Sequence, residues 1–258
     1  MKKPIKINKQ EYTNIYFNSD NHRNHNRDFL FKPRGFSSIG EHDKWLDDHF
    51  FNTKPTDLIV MLGDNALTSS LEETLKWFQR IPAKKLLIFG NHSSWDYPIY
   101  KESLKNWCLY KGIPEVNFEI FPLSVNSKNF KYKVSDSLSN SEQLDILSGF
   151  ENNLNYDTIF LGYEENIKID NTFLYCRHMA PFIFDKMKYE NYVCVCGHSH
   201  GNCPEINVER KDFNKILDIG VDNAKKHNGT PFFKFEEVVE IMKKKTIRIW
   251  DHHGDEHI

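Results

Sequence analysis

Six apolar runs of strand length, each closing on a polar cluster, constrain this chain more than any other feature. They are TNIYFNSD (13–20), TDLIVMLGDN (56–65), AKKLLIFGNH (83–92), NTFLYCRH (171–178), NYVCVCGHSH (191–200) and KILDIGVDN (215–223). Short, nearly continuous apolar runs suit strands buried on both faces, so an α/β chain is expected. Between the first three runs, Ser38 to Glu41 and Ser70 to Glu73 read as S-x-x-E capping boxes. Amphipathic spacing follows each box, through Trp45, Leu46 and Phe50 and through Leu75, Trp77 and Phe78. The resulting β-α-β-α-β opening predicts that strands one to three are parallel.

After His92 the pattern loosens, and residues 93–155 read as an elaboration with one convincing helix. There Tyr100, Leu104, Trp107 and Cys108 fall at helical spacing. Strands resume at Asp157, with Asp170-Asn171 as a turn between TIFLGYEENIKI and TFLYCRH. At 258 residues with 39% hydrophobic and 27% charged content, one globular domain spanning 1–258 is expected. No apolar run approaches the length of a membrane span. The start, MKKPIKINKQEYTN, has no apolar segment behind its basic residues, so no secretory signal is read and the cytoplasm is the expected location. Five cysteines without CxxC spacing argue for reduced thiols. A net charge of −2 gives no broad attraction to nucleic acid.

In open α/β sheets, ligands gather at the carboxyl ends of strands. The polar residues there are Asp20-Asn21-His22, Gly63-Asp64-Asn65, Gly90-Asn91-His92, His178 and Gly197-His198-Ser199-His200. Each piece alone is an ordinary turn or cap. Together, at successive strand ends, they form a set of oxygen and nitrogen donors suited to Mn, Fe, Zn or Co.

This order resembles that of the calcineurin-like metallophosphoesterases, D-x-H, G-D, G-N-H, H and G-H-x-H, over Asp20 to Asp222. SDNHRNHNRDFLFKPRGF is further similar to the "SDTHFGH...RPF" opening of a phage and bacterial branch. The resemblance implies a two-sheet β-sandwich flanked by helices (αββα) and two divalent metal ions. Manganese is preferred, with Fe, Zn, Ni or Co as the other options. It implies Asp20, His22 and His200 at one metal, Asn91, His178 and His198 at the other, and Asp64 bridging both. It also implies a bridging hydroxide that attacks phosphorus, with His92 near the leaving group as a proton donor. A phosphodiesterase is favoured over a monoesterase or nuclease; the substrate is a phosphate ester, with nucleotides and nucleic acid among the candidates. No membrane or protein partner is inferred. Ser93 stands where the family usually has an acid after Gly-Asn-His, with Asp96 as a substitute.

Other residues are weighed against plainer readings. His25 is a substrate-phosphate contact or a loop histidine, and Arg34 a phosphate-binding guanidinium or a surface arginine; Arg27 is a weaker candidate than either. Asp222 and Asn223 orient a ligand histidine or form a strand-end turn. Trp95 and Tyr97 form a base-stacking lid or pack elsewhere, while Trp107 belongs to the core. The tail WDHHGDEHI, with His252, His253 and His257, reads as solvated, as does Lys243-Lys244-Lys245. Cys194 and Cys196 read as buried strand residues, with a local zinc site through His198 and His200 as the alternative. A noncatalytic scaffold on the same fold is a further alternative, and it predicts missing ligands.

Overall fold

The computed structural model describes residues 4–67, 73, 77–78, 80–88, 90–92, 158–162 and 164–247. The readings made on Ser93, Trp95, Asp96, Tyr97, the 100–108 helix, the rest of 93–155 and the histidine-rich tail lie outside them. Within them, the strands are β1 (Ile5–Ile7), β2 (Ile15–Asn18), β3 (Leu58–Met61), β4 (Lys84–Ile88), β5 (Thr158–Gly162), β6 (Glu164–Ile169), β7 (Thr172–Arg177), β8 (Tyr192–Cys196), β9 (Ile216–Asp218) and β10 (Phe233–Lys234). The helices are α1 (Asp28–Phe31), α2 (Ile39–Phe51), α3 (Val221–Asn228) and α4 (Phe235–Lys243). Glu73, Trp77, Phe78 and Arg80 are also helical.

These strands form two mixed five-stranded sheets, ordered β1-β6-β7-β8-β9 and β10-β2-β3-β4-β5. All six runs read from the sequence contain a strand. As expected, β2, β3 and β4 are parallel, and Asp170-Asn171 turns between antiparallel β6 and β7. Alternation explains the sandwich. Phe17, Val60, Leu62 and Ile88 from one sheet meet Ile167, Leu174, Val193, Val195 and Leu217 from the other in one buried cluster. Every second residue of β8 turns away: Cys194 and Cys196 pack with Ile206, Ile216 and Phe184 on the outer face. They are buried strand residues, as the sequence suggested.

Helix α2 starts where its capping signal lies, with the Ser38 hydroxyl accepting from Glu41 N at 3.2 Å. The second half of the box closes one residue early, since the Glu41 carboxylate accepts from Ser37 N. Leu46 and Phe50 are buried beneath it, together with His42 and Asp43. Five of these elements went unread, among them the single-turn α1. β1 and β10 are short, and β10 is an edge strand beside β2. α3 begins directly after Gly220, so Asp222-Asn223 are its first turn rather than a strand-end turn. α4 buries Phe235, Val238, Ile241 and Met242 at helical spacing. Its end corrects one reading. Lys243 and Lys244 are exposed, but Lys245 is buried and donates to the Asn207 and Arg210 carbonyls, both at 2.8 Å. Burial lowers its pKa to about 8.

Candidate metal centre

The carboxyl ends of β2, β3, β4, β7, β8 and β9 deliver their polar clusters to one edge of the sandwich. The two sheets are stitched there by a parallel bridge between Ser19 and Gly220. His178 adds a second link, because its Nδ1 lies 2.6 Å from the Leu62 carbonyl. Gly197 permits the close approach of β8: a Cβ there would overlap Ser19 Oγ and Asp20 Oδ2. Gly90 is similarly constrained, since a Cβ would overlap the Asp64 carboxylate.

Asp20 and Asp64 sit at the centre. Their outer oxygens are held by backbone: Asp20 Oδ2 accepts from His198 N at 2.8 Å, and Asp64 Oδ1 accepts from His92 N at 3.0 Å. The inner oxygens face imidazoles. His178 Nε2 lies 3.2 Å from Asp64 Oδ2 and 3.9 Å from Asp20 Oδ1; His200 Nε2 lies 3.8 Å from Asp20 Oδ1. His22 Nε2 lies 4.0 Å from Asp20 Oδ1 and 3.8 Å from Asp64 Oδ2. Asn91 Oδ1 comes within 2.9 Å of His178 Nε2. The His198 ring stands 5.2 Å from that of His178, centroid to centroid.

Hydrogen bonding orients two of these rings. A carbonyl only accepts, so His178 carries a proton on Nδ1 toward Leu62, and Nε2, which faces only acceptors in Asn91 Oδ1 and Asp64 Oδ2, is the nitrogen that must give up its proton to a cation. His200 Nδ1 lies 3.0 Å from Asp222 Oδ2 and its Nε2 likewise faces the centre. The result is a concentration of lone pairs with too few protons between them. Asp20 Oδ1 and both ring nitrogens of His22 are buried without a hydrogen-bond partner. Leaving such groups unpaired costs about 1–3 kcal/mol each, and a cation at the centre satisfies them. Two groups of donor atoms lie within 4.8 Å of one another: Asp20, His22 and His200, and Asp20, Asp64 and His178. The first coincides with the set expected for one metal. No cysteine joins either group, and Cys196 Sγ faces the Leu217 carbonyl. That geometry overturns the local zinc alternative.

The electrostatics agree. Burial pushes the Asp20 carboxyl up to about 6 against the pull of His178 and His200. Burial, with His200 nearby, drives His22 down to about 2, so it is a neutral donor. Burial also opposes the ionisation of Asp64, yet its contacts with His178, His22 and the His92 amide bring its pKa below the usual carboxylate range.

Around this centre, the His92 ring is exposed, 6.0 Å from that of His22. His25 is half-buried, its ring 5.5 Å from that of His22. Arg34 departs from expectation. Its side chain has 0% exposure and is engaged by Asp222 and by main-chain carbonyls, so in this structure it offers phosphate no donor. Asp222 does orient a ligand-type histidine, whereas Asn223 bonds Asn207 and the Asp218 carbonyl. Sequence reasoning missed His42 and Asp43, which join Arg34 to the loop carrying His22. The available signal was a His-Asp pair on the buried face of an amphipathic helix.

The model of the calcineurin-like phosphoesterase family matches residues 13–202, and the chain belongs to that family. Its members are metal-dependent, in keeping with the Asp and His clusters seen here. No curated protein sequence gives a significant match. Among solved structures, the chain is similar to a protein of unknown function, AQ665, from Aquifex aeolicus. That likeness has 16% identity, a TM-score of 0.44 and coverage of 88% of this chain and 98% of the other. Among the described residues, no helix is long and apolar enough to cross a membrane.

Proposed function

We propose that the protein hydrolyses phosphate esters, diesters in preference to monoesters, with two divalent cations held by Asp20, His22, Asp64, Asn91, His178, His198 and His200. The observation that carries this reading is Asp20 Oδ1, buried without a hydrogen-bond partner beside two His22 ring nitrogens that likewise have none, at the meeting point of both sheets. The carboxylate, amide and imidazole donors suit Mn, Fe, Zn or Co rather than a thiolate-selecting metal, and manganese is taken first among them. When bound, the cations supply hydroxide near neutral pH and neutralise phosphoryl charge. The chain's residues do the rest. Asp64 faces both histidine groups and carries the shared ligand position, while Asp20 is fixed from behind by the His198 amide. His92, exposed beside the centre, donates a proton to the departing alcohol, and this assistance matters most for an unactivated diester. His25, half-buried with its ring 5.5 Å from that of His22, is assigned a contact with the substrate phosphate.

The test is a panel of mono- and diesters, cyclic nucleotides and single-stranded nucleic acid, each with Mn, Ni, Zn or chelator. Diester hydrolysis that needs metal and falls at least about a thousandfold in Asp64→Ala is expected. Undiminished hydrolysis in Asp64→Ala defeats the mechanism. Tight metal uptake without turnover on any ester returns the protein to a noncatalytic scaffold.

A further inference from the structure

Arg34 makes more polar contacts than substrate binding requires or allows. Its Nε and Nη2 fork onto Asp222 Oδ1 and Oδ2 at 2.9 and 2.8 Å. The second Nη2 proton goes to the Asp20 carbonyl at 2.8 Å, and Nη1 serves the Asn21 carbonyl at 3.2 Å and His42 Nε2 at 2.8 Å. A guanidinium has five N–H donors and no acceptor, so this set uses all of them.

That arithmetic fixes the neighbouring protons. Because Arg34 can only donate, His42 Nε2 accepts, and its proton sits on Nδ1 facing Asp43 Oδ1 at 2.9 Å. Asp43 Oδ2 then accepts from Asn24 N at 2.9 Å, holding the loop between His22 and His25. On the other side, Asp222 is held as a carboxylate whose Oδ2 takes the Nδ1 proton of His200, which leaves Nε2 bare toward Asp20. Arg34 Nη2 also lies 3.3 Å from His200 Nδ1, and two donors cannot bond each other, so the carboxylate is what joins them.

We propose that Arg34 is a positioning residue: its guanidinium sets the tautomer of His200 through Asp222 and the placement of the His22 loop through His42 and Asp43. The proposal rests on the metal-dependent reading above. It gives the arginine a role in metal uptake instead of in phosphate contact. Partners of this kind that orient a metal-binding histidine commonly change affinity by about 10–100-fold when removed.

The test uses the full chain stripped with chelator and titrated with Co(II), followed by calorimetry and by the visible absorption band, which reports ligand geometry. Arg34→Met removes the hub, and Arg34→Lys keeps the charge without the fork. Asp222→Asn keeps size and shape, but its amide must face either an Arg34 N–H or His200 Nδ1. That breaks the fork or shifts the imidazole proton to Nε2. Each variant is expected to bind at least one Co(II) about 10-fold more weakly or worse, with an altered band. The stripped Asp222→Asn protein should still unfold cooperatively, but at a lower temperature than wild type, because the buried guanidinium has lost its counter-charge. Should Arg34→Met fail to fold, Asp222→Asn decides the matter alone. Wild-type affinity and spectrum in Asp222→Asn overturn the proposal. So does an Arg34 variant that binds Co(II) normally while its KM for ester rises, since that is the signature of a phosphate contact. A wild-type protein that takes up no Co(II) overturns the metal-dependent reading itself, an outcome distinct from both.

Discussion

Asp20, His22, Asp64, His198 and His200 all have positive φ, between 47° and 69°. Each costs a non-glycine residue about 1–3 kcal/mol unless its surroundings enforce it. Here they do: Asp20 N is tied to the Gly63 carbonyl at 3.2 Å and His22 N to the Asp64 carbonyl at 2.9 Å. Strained backbone turns the donors inward at the strand ends, and its concentration on these residues marks the site independently of their chemistry. The sequence identified them because Asp and His at successive strand ends are chemically conspicuous. It could not assign Arg34, since whether an arginine meets solvent, substrate or five internal acceptors depends on partners up to 188 residues away. His92 offers the sharpest test at this scale. His92→Ala is expected to lower kcat on an alkyl phosphodiester by about 100-fold or more, because an alkoxide needs a proton to leave. On a bis-p-nitrophenyl diester, whose leaving group is stable as an anion, the same variant should lose less than about 10-fold. Equal losses on both esters would remove the proton-donor role.

The strand ends work as elements because small residues let them converge. In CVCGHSH, period-two alternation buries Cys194 and Cys196 on one face of β8, and Gly197 then ends the strand beside Ser19 and Asp20. The two histidines beyond it leave the strand, so the four-ligand look of the segment does not survive its folding. Gly197→Ala should destabilise the protein by about 1–3 kcal/mol through overpacking, and also weaken metal uptake, because the added carbon meets Asp20. Gly229→Ala is the control: it ends α3 at φ 77° with nothing within 4 Å of a new Cβ. It should cost about 1 kcal/mol from backbone strain alone and leave metal uptake unchanged. Denaturant midpoints with and without chelator separate the two variants; equal metal uptake in both would remove the special status of Gly197. Most strands were legible because long apolar runs are strong signals, whereas β1 and β10 span three and two residues and draw their order from β6 and β2. α4 was legible in its Phe235, Val238, Ile241, Met242 stripe and went unread.

Across the whole molecule, the candidate metal centre lies where the two sheets join, so a cation bound there couples binding to folding. A cation at 100 times its Kd that binds only the folded chain adds about 2.7 kcal/mol of stability. The pH dependence follows from protons the cation must displace. In the metal-free fold Asp20 titrates at about 6 against an ordinary value of 3.8, chiefly through burial. Between those values the folded chain keeps a proton that the unfolded chain has lost; stability gained this way is present in acid and is lost as pH rises through 6. A bound cation needs the carboxylate form, so it gives most where the metal-free fold has paid the full cost of ionising Asp20, above pH 6. His178 and His200 act in the same direction: burial opposes their charging, but contacts with Asp64 and Asp222 respectively raise their pKa values, so on acidification each takes up, earlier than an ordinary imidazole, a second proton that metal must expel. His22 is already neutral down to about 2 and contributes no proton to the exchange. The difference in Tm between metal-loaded and chelated protein should therefore be largest above pH 7 and shrink steadily as pH falls through 6 to 5. Over the same range calorimetry in buffers of different ionisation enthalpy should record growing proton release per cation bound. A Tm difference that stays constant from pH 5 to pH 8 would mean that the cation binds away from Asp20, His178 and His200, and the assignment of this junction as the metal centre would fall with it.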